Sequence, residues 1–200
     1  QQPAGSSSKR RLLYKLDPEW RNRFLRVDFR SSTYRMAGVL LRFAGVRPQE
    51  LQDGIRLRYS DRGIRVLVRG AKVRDTAGQP WRTFLLDVAK LPRWFVDEVR
   101  AQKRVVVSAD VARHRSHLGR ESGPVLNPQR RASRDSWRLS AYVFRHALAT
   151  DLRESGWDTG QIAAVLGEQS AATLRWYGLK NRGTSHAGPV AIIAQSVRVP

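Results

Sequence analysis

The chain has 200 residues, enough for one domain with a substantial core plus short tails. It carries 37 Lys and Arg against 17 Asp and Glu, a formal net charge of +20 spread along its length, and no cysteine. Disulfide frameworks and thiolate metal sites are therefore excluded, and no apolar run approaches the roughly 20 residues that cross a bilayer. So much like charge repels itself unless a polyanion relieves it, and the obvious polyanion is nucleic acid, whose counterions are released on binding. Arg far outnumbers Lys, which suits bidentate contact with phosphate oxygens. The polar N-terminus lacks the apolar segment of a signal peptide, so the expected location is cytoplasmic, with the protein nucleoid-associated when bound to DNA. No amphipathic helix has the broad apolar face that membrane-surface binding needs, so no membrane partner is expected.

Residues 1–14 read as a disordered basic tail or linker remnant, with three serines followed by Lys9, Arg10 and Arg11. Asp17 and Pro18 open a first helix, as cap and first helical residue. Ser31 or Ser32 opens a second, carried by Met36, Val39, Leu40 and Phe43 to a stop at Gly45. Pro48 starts a short helical turn. The period then changes. Ile55, Leu57 and Tyr59 alternate, as do Ile64, Val66 and Val68, with Asp61-Arg62-Gly63 between them, which predicts a hairpin. Residues 83–88 are a third strand, and Pro92 opens a helix to Gln102. Residues 105–111 are apolar without a clear period, and 114–137 read as loop. A strong helix runs from Leu139 to Ser155 and stops at Gly156. Asp158 or Thr159 caps the next, which ends at Gly167, and Ser170 caps one more. A polar, Gly-containing linker follows from 178, then the apolar segment Pro189 to Val197. The fold class is α+β, mostly helical, with a small antiparallel sheet.

Four segments carry the chemistry. The first is Gly45-Val46-Arg47-Pro48-Gln49-Glu50-Leu51. The second is the hairpin, followed by Lys72 in the loop after Gly70. The third is Tyr142-Val143-Phe144-Arg145-His146 at the start of a helix. The fourth is Leu166-Gly167-Glu168, with Tyr177 nine residues after Glu168. In this order and spacing the set resembles the catalytic domain of the tyrosine recombinase (phage integrase) family, over roughly Ser31 to Tyr177 and most strongly from Tyr142. The resemblance implies a catalytic domain over 15–177, a helical bundle with a small antiparallel sheet, and a linker with a C-terminal docking segment over 178–200. It also implies a site made of Arg47, Lys72, Tyr142, Arg145, Glu168 and Tyr177, with Arg47, Lys72 and Arg145 as DNA contacts and with no metal or other cofactor. Tyr177 would be the nucleophile, the two arginines would stabilise the extra negative charge of a phosphorane-like transition state, and Lys72 would protonate the leaving 5′ oxygen. The product would be a 3′-phosphotyrosine, which a second 5′-hydroxyl resolves. Family members usually carry a further helical DNA-binding domain before this one; its absence here would leave the isolated chain with weak, unspecific DNA binding. They also commonly exchange a C-terminal segment between protomers, which predicts self-association on DNA.

Read residue by residue, Arg145 lies between apolar neighbours on a helix, where a lone charge is costly unless an anion meets it. Lys72 stands in a basic loop and fits an ordinary phosphate contact nearly as well as a general acid. Tyr177, beside Trp176, could instead be a core aromatic. His146 reads as a structural helix residue, and His114 and His117 as solvated. Two residues depart from the family pattern. Tyr142 replaces the first histidine of the His-x-x-Arg-His box; it can donate to phosphate but is a weak base, with an ordinary pKa of about 10. Glu168 stands where the family has His or Trp, and a carboxylate repels phosphate unless protonated or paired with Arg. The leading expectation is a site-specific DNA recombinase, or integrase, of a mobile element or plasmid. The alternative is a recombinase-derived DNA-binding protein with weak or no cleavage. An RNA-binding protein rests on charge alone, because no aromatic stacking motif accompanies it.

Overall fold

Alternating strands and periodic helices give seven α-helices and a five-stranded sheet among the residues that the computed structural model describes: 13, 16, 17, 19–26, 31–71, 79–126, 139–168 and 189–195, with 121–126, 190 and 192–195 described as backbone. The helices are α1 (Trp20–Arg26), α2 (Ser32–Ala44), α3 (Pro48–Asp53), α4 (Arg93–Gln102), α5 (Val111–Leu126), α6 (Ala141–Glu154) and α7 (Thr159–Leu166). The strands are β1 (Ile55–Ser60), β2 (Gly63–Arg69), β3 (Trp81–Leu86), β4 (Arg104–Val107) and β5 (Pro189–Gln195), in the order β4-β1-β2-β3-β5 with every neighbouring pair antiparallel. Most of the expected tail, Lys72, the helix expected from Ser170, Tyr177 and the linker lie outside the described residues. Leu13, within the expected tail, is buried in the core.

α2 and α6 are buried along most of their length and pack on each other at the centre. Trp20 and Phe24 of α1 close over Phe144 of α6, with ring centroids 4.9 and 4.6 Å apart. Beneath this contact Asp151 of α6 accepts from Arg21 of α1 and, at 3.1 Å, from Arg42 of α2, so one buried carboxylate ties three helices together. α7 continues the core through Ile162, Val165 and Leu166 against Leu148 and Leu152. The sheet turns Ile55, Leu57, Ile64, Val66, Val68, Phe84, Leu86 and Val107 toward the helices, because alternate residues of a strand share a face.

Most expected boundaries hold to within two residues. The hairpin forms with its turn at Asp61 and Arg62, and Gly45 and Gly167 end their helices with φ of 57° and 66°. The third strand begins earlier than expected, because Trp81 pairs with Arg69 of β2, and it ends at Leu86, where Asp87 caps a 3-10 turn. Of the undecided stretch 105–111, the part up to Val107 belongs to the edge strand β4, and Val111 already opens α5. The region from His114, expected to be loop, opens instead as α5. Asp110 caps it by accepting from the Arg113 amide at 2.7 Å, and His114, His117 and Leu118 recur at helical spacing as its buried face. Those two histidines are accordingly not solvated. They stack on Tyr34, and burial, with His117 adding to it, pushes the His114 pKa down to about 4. Among the described residues no group of three ligating side chains could hold a metal, and no helix is long and apolar enough to cross a membrane.

The C-terminal apolar segment docks on its own domain. Its residues pair with the free edge of β3, from Leu86↔Pro189 to Arg82↔Gln195, with two irregularities in register. The expectation of docking on a neighbouring protomer thus meets a groove in cis, for an ordinary reason: the β3 edge presents unpaired backbone groups that any strand within reach can satisfy.

Candidate phosphate-binding site

The site starts from a helix break. α2 stops at Gly45, whose left-handed φ of 57° turns the chain sharply; a Cβ there would meet Leu148 Cδ2 at 2.8 Å. The chain re-enters helix at α3 with Arg47 as the N-cap and Pro48 at its first position. Glu50 closes the cap by accepting from the Arg47 amide at 2.7 Å, and its other oxygen accepts from Arg47 Nη1 at 2.9 Å. A helix-starting motif thereby fixes a guanidinium.

Arg82 enters from the sheet. It occupies an inward position of β3 and is 1% exposed; both Nη atoms donate to the two oxygens of Glu50 at 2.9 Å, and Nε donates to the Val165 carbonyl at 2.7 Å. Gly167 leaves room for it, since a Cβ there would lie 2.6 Å from Arg82 Nη1. Arg145 comes from α6. It donates to the Gly45 carbonyl at 2.9 Å and to the Leu166 carbonyl, and so bridges the ends of α2 and α7.

Glu168 completes the cluster just past the end of α7. Its Oε1 accepts from Arg47 Nη2 and from Arg145 Nη2, each at 2.7 Å, while Gln79 donates to its carbonyl at 3.2 Å. Three guanidiniums thus face two carboxylates. Glu50 is fully buried and Glu168 is 13% exposed, the most of the five side chains. Burial alone would raise both carboxyl pKa values. For Glu50 the charges of Arg82, Arg145 and Arg47 outweigh burial and bring the value down to about 2. For Glu168 the charges of Arg145 and Arg47 likewise win, and its pKa is lowered. Burial, partly offset by Glu50, lowers that of Arg82.

Of the residues expected in the site, the structure brings Arg47, Arg145 and Glu168 together. Tyr142 is half-buried on the first turn of α6, one turn before Arg145, and makes no hydrogen bond to the cluster. Lys72 and Tyr177 lie outside the described residues. Arg145 was expected to offset its burial with a phosphate; here two carbonyls and a carboxylate do so. Sequence reasoning misses Arg82 and Gln79, and Glu50 enters it only as part of a motif. Arg82 did leave a signal, a charge at an inward position of an alternating strand, ahead of Phe84 and Leu86.

The arrangement has a definite capacity. Two guanidiniums from separate elements deliver Nη2 protons to a single oxygen, the geometry that would grip a nonbridging phosphate oxygen. The fold is that of recombinase catalytic domains. The chain superposes on the recombinase XerA with a TM-score of 0.56 and 17% identity, covering 83% of this chain and 60% of that one. It superposes on XerH, a site-specific recombinase solved on its palindromic difH substrate after cleavage, with a TM-score of 0.50 and 17% identity, covering 88% of this chain and 50% of that one. The chain therefore spans half to three-fifths of these relatives. No family-level sequence model matches it, and neither does any curated protein sequence.

Proposed function

We propose that this chain is the catalytic domain of a site-specific tyrosine recombinase, cleaving and rejoining duplex DNA through a 3′-phosphotyrosine. The observation that carries the reading is the convergence of Arg47 and Arg145 on one oxygen, in a fold shared with recombinases. The net charge of +20 supports a DNA partner. In this mechanism Arg47 and Arg145 hold the nonbridging oxygens of the scissile phosphate, and Tyr142 can add a donor from the adjoining turn. Tyr177 attacks phosphorus; the bond to the 5′ oxygen breaks, and that oxygen takes a proton from Lys72. The attack of another 5′-hydroxyl on the phosphotyrosine then releases Tyr177 and joins the strands. The chemistry draws on no metal. The natural setting is mobile-element or plasmid DNA in the cytoplasm, and assembly on DNA would have β5 leave the β3 edge of its own domain for that of a neighbouring protomer. A one-protomer stoichiometry in sedimentation on saturated DNA would remove that last element.

The test is a duplex carrying a nick near the scissile phosphate, which traps the covalent intermediate. A denaturation-resistant protein–DNA band is expected, and Tyr177→Phe should abolish it. A band that survives this change, or duplex binding with no band under any condition, would sink the cleavage mechanism. One observation favours the second reading, a DNA-binding protein that no longer cuts: Glu168 already occupies the oxygen position between the two arginines. That reading expects duplex binding without a covalent band both in the native protein and in Glu168→His.

A further inference from the structure

The sheet has a second basic surface, on the side away from the phosphate cluster. The five strands contain no Asp or Glu. Their inward positions hold the buried apolar residues and Arg82; alternation sends Arg56 and Arg58 of β1, Arg65 and Arg69 of β2 and Arg104 of β4 to the other face, beside Leu67, Leu85, Trp81 and Val106, and all five arginines are exposed there. The register places them as neighbours. Arg58 lies directly opposite Arg65 on one side and Arg104 on the other, so three guanidiniums stand in a row across three strands. Like charges directly opposite one another destabilise a sheet. None of the five has an ion-pair partner among the described residues. The acidic residues of α4, Asp97 and Glu98, belong to a helix packed against the inward side, where Arg100 meets the Tyr59 hydroxyl.

We infer that this face binds the phosphate backbone of duplex DNA, separately from the segment engaged at Arg47 and Arg145; the choice of DNA as partner rests on the function proposed above. With strands about 4.8 Å apart and alternate residues about 6.7 Å apart, the arginines form a patch roughly 10 Å across. A duplex presents about six phosphate charges over that length. Chemistry favours the duplex over a single strand. A single-strand platform needs a series of aromatic faces for successive bases, whereas Trp81 is the one exposed aromatic on these strands among the described residues. Strand β3 thus has two sides, Arg82 turned into the cluster and Trp81 turned out, so one sheet separates two anion-binding surfaces.

The test replaces Arg56, Arg58, Arg65 and Arg104 together with glutamine in the full chain, with thermal unfolding as the check on folding. Affinity for a short fluorescent duplex is measured across a salt series. The slope of log affinity against log salt should fall by about 3 to 4, near 0.9 for each lost phosphate contact. Covalent trapping at saturating duplex should stay at the unmodified level. An unchanged slope overturns the inference, as does a change seen with single-stranded DNA and not with duplex. If the unmodified protein binds no duplex, this inference and the proposed function fall together. If the slope falls as expected while no covalent band forms even in the unmodified protein, the second surface stands and the cleavage mechanism fails.

Discussion

Glu50→Gln is expected to lower the unfolding free energy by about 3–5 kcal/mol, the usual cost of removing one partner from a buried ion pair. Glu50 is 0% exposed, accepts both Nη atoms of Arg82, and caps α3 through the Arg47 amide. In the variant the amide keeps one acceptor oxygen and turns an NH2 donor toward a guanidinium donor, so Arg82 loses one of its two hydrogen bonds to residue 50 together with the charge, and it stays buried beside Arg47 and Arg145. The same contacts fix a pH dependence. The folded-state pKa of about 2 lies below the ordinary 4.5, so the unfolded chain binds more protons between these values. The stabilisation is therefore complete above about 4.5 and is lost as pH falls toward 2. Across that shift it amounts to roughly 3 kcal/mol, which agrees with the mutational figure. Urea midpoints of the native protein and of Glu50→Gln should converge as pH is lowered. Midpoints that differ equally at neutral pH and near pH 3 would mean that the carboxylate charge is not what stabilises this site.

Glu168→Gln should raise the affinity for inorganic phosphate about 10- to 150-fold, read by calorimetric titration. In the native chain an incoming phosphate must first displace two charge-assisted hydrogen bonds, from Arg47 and Arg145 to one carboxylate oxygen. Removing that competition is worth about 1.5–3 kcal/mol, which gives the stated range. The change should leave the fold intact, because Arg47 keeps Glu50 and Arg145 keeps the Gly45 and Leu166 carbonyls. Glu168→His, which substitutes a donor for the acceptor, should raise covalent trapping on nicked duplex for the same reason. The lowered pKa of Glu168 keeps it ionised at neutral pH, so in the native protein the competition weakens only on acidification through that lowered value. Phosphate affinity unchanged in Glu168→Gln would show that the carboxylate does not compete for the anion position.

The local elements, and the segments that carry Arg47 and Arg145, are legible in the sequence. Gly45, Pro48, Asp158 and Gly167 act through backbone geometry confined to a few residues, so the helix ends they set could be read without the fold. The alternation from Ile55 to Val68 named the hairpin for the same reason. Arg47 and Arg145 were legible because each sits in a recognisable segment. What those arginines contact depends on the packing of the whole chain. Glu168 lies 121 residues from Arg47 and 23 from Arg145, so sequence alone leaves open whether it repels phosphate or pairs with Arg, and the fold makes it a bridge between the two arginines. Arg82 was hidden because an arginine in a strand of a basic chain looks like a surface charge until pairing with β2 sets which way it points. The histidines of α5 read as solvated in the sequence because Tyr34, which stacks on them, lies far away on α2. Which groove β5 takes is not written in its own residues; in the folded chain its backbone pairs with the open edge of β3. Caps and strand periods act between near neighbours and so are written in the sequence. Ion-pair partners and sheet edges are found between distant segments, and these depend on how the whole chain packs.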